Sequence, residues 1–384
     1  MRIALGAVIS ITPFSAGMAW NWMHLAVGLR RLGHEVTYLE QVEPYWCVDA
    51  EGKPCQLRDS INHELFATIM TRFNFEGRAC QYAAGSTTTA GLSWDGLKDA
   101  LRGADLLINM AGHVSCDELL ALVRRRAYVD QDPVYTQLWR SEYGKDLGLS
   151  RHDAFLTVGL NIGTPHSHIP DCGIRWRPVL PPVVLDYWPF EVDESHRALT
   201  TVASWSGFRR LCYRDEWYFS KYEEFKRFVA LPRESGQEME VALRRYKDDD
   251  PGITMMRSNG WRILDASEIA EMSAYQRYIA RSRGEIGIAK NAYVKGSSGW
   301  FSDRAAHYLA CGRPVLAQST GFERVLPTGQ GLLTFRTMEE AVAGIRQING
   351  DYAGHCRAAR RFAEEFLEYD KSLPSWLAAC MSEG

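Results

Sequence analysis

Long hydrophobic runs are absent from this sequence. No stretch approaches the roughly 18 apolar residues that a membrane-spanning helix needs, so no transmembrane segment is expected. A charge excess is absent too. Lys and Arg total 44 and Asp and Glu 47, a net charge of −3. That balance argues against nonspecific nucleic-acid binding as the main task, though it leaves room for a local basic patch. Paired cysteines are missing. The nine that exist are odd in number, scattered from Cys47 to Cys380, and form no CxxC pair. Neither structural zinc nor a disulfide framework is expected, and a cytoplasmic location fits best. No tandem period of about 20–50 residues is present, which excludes solenoid architectures.

What is present is ordinary for a packed protein. Hydrophobic residues make up 46% and charged residues 24%, which excludes wholesale disorder. At about 100–200 residues per domain, 384 residues predict two or three domains. Met1-Arg2 followed by the apolar run Ile3–Ile9 imitates a short signal peptide. It reads better as a buried first strand, because a helical pattern and a second strand follow at once.

The opening predicts a strand over Arg2–Ser10, a loop over Thr12–Gly17, a helix over Met18–Leu32 and a strand over Glu35–Glu40. Gly33 supplies the helix C-cap between them. This βαβ start implies a parallel sheet covered by helices. Asp105–Met110, Arg126–Asp130 and Ala154–Gly159 read as further strands, with a helix at Cys116–Arg124. Then comes a proline-rich crossing, Arg177–Phe190, stiff enough to link two domains. The alternation restarts with strands at Leu199–Ser204, Gly260–Asp265, Glu285–Ala289, Pro314–Gln318 and Gly331–Phe335. Helices are predicted at Trp217–Phe228, Ser267–Arg281, Ser302–Ala310, Met338–Ile348 and Tyr352–Glu368. Two Rossmann-like domains are expected, residues 1–183 and 184–350. The helices of 351–384 would pack on the second or cross back. The default ligand site is the cleft between the two.

The densest motif is Gly299–Phe322, GWFSDRAAHYLACGRPVLAQSTGF. Ser302 is a good N-cap, with Asp303 and Arg304 in the first helical turn. A Gly-containing loop at a helix N-terminus offers free N–H groups and a positive dipole end to a phosphate. Arg304 and Lys290 add charge. The same residues also fit a plain loop-to-helix cap with a solvated Asp303 and Arg304.

This stretch resembles the C-terminal, donor-binding domain of GT-B glycosyltransferases. It is most similar to a bacterial glycosyltransferase group, and the similarity extends through GMAW…LRRLGHEVTYLE, YVDQDPVYTQ, PVVLDYWP, SNGW, IAKNAYVKGSSGWFSDR, YLACGRPV and LPTGQGLLTF. The resemblance implies a GT-B fold, two facing Rossmann-like domains and a nucleoside diphosphate sugar as co-substrate. It also implies an acceptor of unstated identity, no essential metal and no other cofactor. The chain departs from the large retaining group, which carries two glutamates where Gly299 and His307 stand here. That group's donor contacts and stereochemistry are therefore not carried over. Asp303 or His307 is left as a possible contact to ribose or sugar, with burial in the helix as the alternative for His307.

Other candidates follow from position. Gly17 lies after the first strand, where a backbone must approach a phosphate closely, or is an ordinary turn. Trp261-Arg262 begins the strand expected to hold the base, and Lys290 ends another at the ligand-binding edge. Three groups follow strands of the first half and are candidate bases: Asp132 and Asp130 in VDQDP, then His113. Asp-x-Asp-Pro is equally good turn chemistry. His166 and His168, like Asp248–Asp250, read as loop polarity rather than metal ligands. Two other readings remain open: a sugar-nucleotide epimerase or glycan phosphorylase on the same fold, and an inactive partner of another transferase.

Overall fold

The computed structural model describes residues 1–11, 15–205, 209–244 and 246–382. Residues 12–14, part of the loop expected after the first strand, lie outside them. The first half holds β1 (Arg2–Gly6), β2 (Glu35–Val42), β3 (Ala79–Ala83), β4 (Thr89–Gly91), β5 (Leu106–Met110), β6 (Arg126–Asp130), β7 (Ala154–Thr157) and β8 (Arg177–Pro178). They form one sheet in the order β4-β3-β2-β1-β5-β6-β7-β8. Only β4 runs antiparallel to its neighbour. Ile3–Gly6 and all of β5 are buried, so these strands read as unbroken apolar runs because helices cover both faces.

The second half begins with β9 (Leu199–Ser204), followed by a separate hairpin of β10 (Leu211–Tyr213) and β11 (Glu216–Tyr218). β12 (Met239–Arg244), β13 (Trp261–Asp265), β14 (Gly284–Gly287), β15 (Val315–Gln318) and β16 (Leu332–Phe335) complete a parallel six-stranded sheet with β9. Its order is β13-β12-β9-β14-β15-β16. Both sheets therefore reverse direction of growth beside their first strand, between β1 and β5 and between β9 and β14. A crevice opens outside the carboxyl ends of strands at such reversals.

The helix Ala16–Arg31 lies between the halves and is buried from Ala19 to Leu29. A helix apolar on all sides needs cover on all sides. The second half supplies part of it: the Trp20 indole donates to the Met272 carbonyl at 2.9 Å. The C-terminal helix Tyr369–Met381 supplies more, and at Gly28 a Cβ would stand 2.7 Å from Leu373 Cδ1. That helix is tied to the first half, where Trp376 Nε1 donates to Leu180 O at 2.8 Å and Arg125 to the Cys380 and Ser382 carbonyls. The chain thus crosses between the halves twice, at Val183 and Glu368. These residues bridge side by side, with Val183 N–H to Leu367 O at 2.7 Å and Tyr369 N–H to Val183 O at 2.9 Å.

Three elements differ from expectation, and one of them is the helix expected at Ser267–Arg281, which splits into a 3-10 turn at Ala266–Ile269 and a helix at Met272–Ala280 capped by Glu271. Trp217–Phe228 is not one helix: Glu216–Tyr218 is a strand and the helix starts at Lys221. Arg214 and Asp215 both take positive φ (51° and 61°), the geometry of a two-residue turn whose twist matches a hairpin. The helix at Cys116–Arg124 is only the turn Asp117–Leu120.

Candidate functional site

A cavity of about 410 Å³ opens between the halves at the carboxyl ends of β1, β6, β9, β12 and β14. From the first half come Ser15–Met18, Gln131 and Asp132. From the second come Val202–Ser204, Ser220, Lys221, Arg244, Lys290, Tyr293 and Trp300–Arg304. Of the residues singled out by sequence, Gly17, Asp132, Lys290, Ser302, Asp303 and Arg304 meet here, although they are up to 287 positions apart (304 − 17).

The loop after β6 presents Asp132, and Asp130 organises that loop. Asp130 is fully buried, and its carboxylate accepts from Thr136 Oγ1 (2.6 Å), Thr157 Oγ1 (2.8 Å), Asp132 N–H (3.0 Å) and Gln137 Nε2 (3.1 Å). Burial raises its pKa and these bonds oppose the rise. Gln137 in turn accepts from Val134 N–H at 2.7 Å, and Val134 is held at φ 76°, a costly conformation for a β-branched residue. Asp130 is thus an anchor behind the cavity. His113 is exposed on the neighbouring loop after β5 and outside the lining. Its crowded surroundings lower its pKa, and Asp132 pulls the other way.

Asp132 meets the second half directly. Its Oδ1 lies 2.5 Å from Lys290 Nζ and accepts from the Tyr293 hydroxyl at 2.6 Å, while Lys290 also donates to that hydroxyl at 2.8 Å. Burial lowers the Lys290 pKa, opposed by Asp132. Gly17, in the first turn of Ala16–Arg31, has ordinary φ. Its bare Cα faces Tyr275, whose hydroxyl a Cβ would approach to 3.0 Å.

On the other wall, the helix Asp303–Ala310 points its N-terminus at the cavity. Ser302, its N-cap residue, makes no side-chain cap bond, and its buried Oγ has no partner among the described residues. Asp303 lines the cavity; burial raises its pKa and Arg304 opposes the rise. Arg304 is already engaged. Its Nε lies 2.5 Å from Glu285 Oε1 and its Nη1 donates to the Val202 carbonyl at 2.7 Å. It is not a solvated surface residue.

Three other candidates fall outside the lining. Gly299 sits at the seam between halves with φ 71°, where a Cβ would stand 2.7 Å from the Asn161 backbone nitrogen. Asn161 closes the seam by donating to the Ser297 and Gly321 carbonyls at 3.0 and 3.2 Å. His307 is 1% exposed, stacked on Trp188 at 5.0 Å, and its pKa is pushed down to about 3 by burial and Arg304. Arg262 points away on edge strand β13, 3.2 Å from Glu240, while Trp261 is core and donates to Val229 O at 2.9 Å. His166 and His168 do not belong to a metal cluster: among the described residues no group of three His, Cys, Asp or Glu is arranged to hold one.

The sequence reading missed Lys221. Its ammonium makes no hydrogen bond or ion pair among the described residues. Its pKa is held well below the usual lysine value by burial, then by Arg304 and Lys290. The signal was Ser220 directly before it, an N-cap type hidden when Trp217–Phe228 was read as one helix. Tyr293 was missed as well, because an aromatic residue in a short helix looks like core.

In structure the chain is similar to an alpha-glucosyltransferase solved with UDP and a 13-mer DNA, at 15% identity over the whole of both chains, with a TM-score of 0.59. It is also similar to sucrose-phosphate synthase from Thermosynechococcus elongatus, at 12% identity over 96% of this chain and 95% of that one, TM-score 0.52. HepE of Anabaena in complex with UDP matches at 10% identity over 96% of each chain, TM-score 0.55. The chain has the GT-B fold. No family model matches the sequence, and neither does any curated protein. The cavity is therefore the interdomain cleft of a GT-B protein, and no described helix is long and apolar enough to cross a membrane.

Proposed function

We propose that this protein is a glycosyltransferase that moves a sugar from a nucleoside diphosphate donor to a small or medium acceptor. The observation that carries the reading is the convergence of Lys221, Lys290 and Arg304 with the N-terminus of Asp303–Ala310 on one cavity wall. Cations and a helix N-terminus together favour a diphosphate. Lys221 contributes most readily because it has no competing partner among the described residues. The unpartnered Ser302 Oγ gives a further hydrogen bond. As the bond from sugar to diphosphate breaks, these groups stabilise the negative charge that gathers on the leaving oxygen, with no metal needed for that task.

Asp132 faces the same space from the first half. It accepts the proton of the acceptor hydroxyl, while Asp130 acts only through it. In this reading residues 1–183 hold the acceptor and 184–350 the donor. UDP is the first nucleotide to try, since two of the structurally similar proteins named above, the alpha-glucosyltransferase and HepE, were solved with it. Calorimetric titration with uridine, guanosine and thymidine diphosphates and their sugar conjugates tests the proposal. One of them should bind at micromolar concentration; failure of the whole panel would overturn it.

A further inference from the structure

The Lys290–Tyr293–Asp132 contact joins the two halves across the proposed donor and acceptor sites. Lys290 and Tyr293 belong to the second half and Asp132 to the first, and all three line the cavity. The carboxylate oxygen that faces Lys290 also receives the tyrosine hydroxyl, so both of its contacts are charged or charge-assisted. Asp132 is 31% and Lys290 19% exposed, so neither is sealed in the core. Other titratable groups face this contact. Asp303 and Asp130 act on Lys290 from the second and first halves, and Lys221 and His113 stand within electrostatic reach of its two ends.

We propose that this contact is an interlock in which the donor diphosphate and Asp132 compete for the Lys290 ammonium. The inference rests on the donor reading given above. In the empty cavity Lys290 neutralises Asp132. The Asp132 oxygen is then occupied by the ammonium and the tyrosine hydroxyl, and it can meet an acceptor hydroxyl only when the ammonium leaves it. A diphosphate carries more charge than one carboxylate and is met there by Lys221 and the helix N-terminus as well. Its arrival draws Lys290 towards the phosphate and leaves Asp132 facing the acceptor. The base is thereby exposed only when a donor is seated, so an acceptor hydroxyl is not deprotonated in an empty site. No covalent bond changes in this step; one ion pair is exchanged for another.

The test compares binding of the nucleoside diphosphate and of its uncharged nucleoside by wild type, Asp132→Asn and Tyr293→Phe. Asp132→Asn should bind the diphosphate about fivefold or more tightly than wild type, the usual lower range for coupled sites. Removing a negative charge would by itself favour an anion, so Tyr293→Phe decides the matter. It preserves every charge while removing the hydroxyl that is hydrogen-bonded to both partners of the pair. It should also bind the diphosphate more tightly, by a smaller factor, with nucleoside affinity unchanged in both variants. Unchanged or weaker diphosphate binding in Tyr293→Phe would overturn the interlock alone. Absence of diphosphate binding in wild type would overturn the donor reading and the interlock with it.

Discussion

Two ion pairs stand at the cavity with the same 2.5 Å separation and opposite situations. Arg304–Glu285 lies within the second half, and the Glu285 side chain is fully buried with Oε2 unpartnered. Lys290–Asp132 joins the two halves and keeps access to the cavity. Distance alone would make them equivalents. Burial separates them: breaking a sealed pair leaves a charge in a medium that cannot solvate it, whereas a pair at a cavity wall can exchange partners. Arg304 is accordingly a structural cation that lends its field to the site, and Lys290 is a cation that can be claimed by a ligand.

The largest expected effect tests the sealed pair. Arg304→Ala strands Glu285 and should destabilise the fold by about 3–5 kcal/mol. The shift would be read as a lower denaturant midpoint. If Arg304→Ala unfolds at the wild-type midpoint, the contrast between the two pairs collapses.

An intermediate effect is expected at Lys221, which belongs to neither pair. Removing a charge-assisted contact costs about 1.5–3 kcal/mol, so Lys221→Met should weaken diphosphate binding roughly 10- to 100-fold. Stability should move the other way. The folded state depresses the Lys221 pKa, so below 10.5 the unfolded chain binds the proton more readily. This lysine therefore costs stability at neutral pH, and the cost shrinks as pH rises towards 10.5. Lys221→Met should melt at or above the wild-type temperature at pH 7, and a clear fall would reveal a structural partner.

The smallest effect is expected at Arg262, whose side chain is 60% exposed on the edge strand. Arg262→Ala should change stability by no more than about 0.5 kcal/mol and leave nucleotide affinity as it was. A marked loss of affinity would mean that the nucleotide extends well beyond the cavity described here.

Much of the fold was legible because its signals are local. Apolar runs such as Ile3–Ile9 and Asp105–Met110, set between helical periods, mark strands that both faces of a sheet will bury. β3 (ACQYA) and β12 (MEVALR) were not read. Each is short and interrupted by a polar residue, so neither shows an apolar run or an alternation long enough to read as a strand. The hairpin β10–β11 was hidden because its turn uses Arg214 and Asp215 at positive φ, where Gly or Asn would have announced it. In the site, Ser302, Asp303 and Arg304 were legible as a helix start facing a strand edge. His307 was not separable from them, since one helical turn decides between the cavity and the Trp188 stack.

Composition and periodicity were enough to dictate two parallel sheets, helices on their faces and the strand ends where ligands collect. Those features arise from neighbouring residues and from the burial each element requires. Which charges remain free was settled by contacts between segments far apart in the chain. Glu285 takes Arg304, Asp132 takes Lys290, and Lys221 is left without a partner among the described residues. Charge is written in the sequence, but its availability depends on solvent exclusion and on the nearest opposite charge: packing inside the second half decides both for Arg304, and the meeting of the two halves decides them for Lys290.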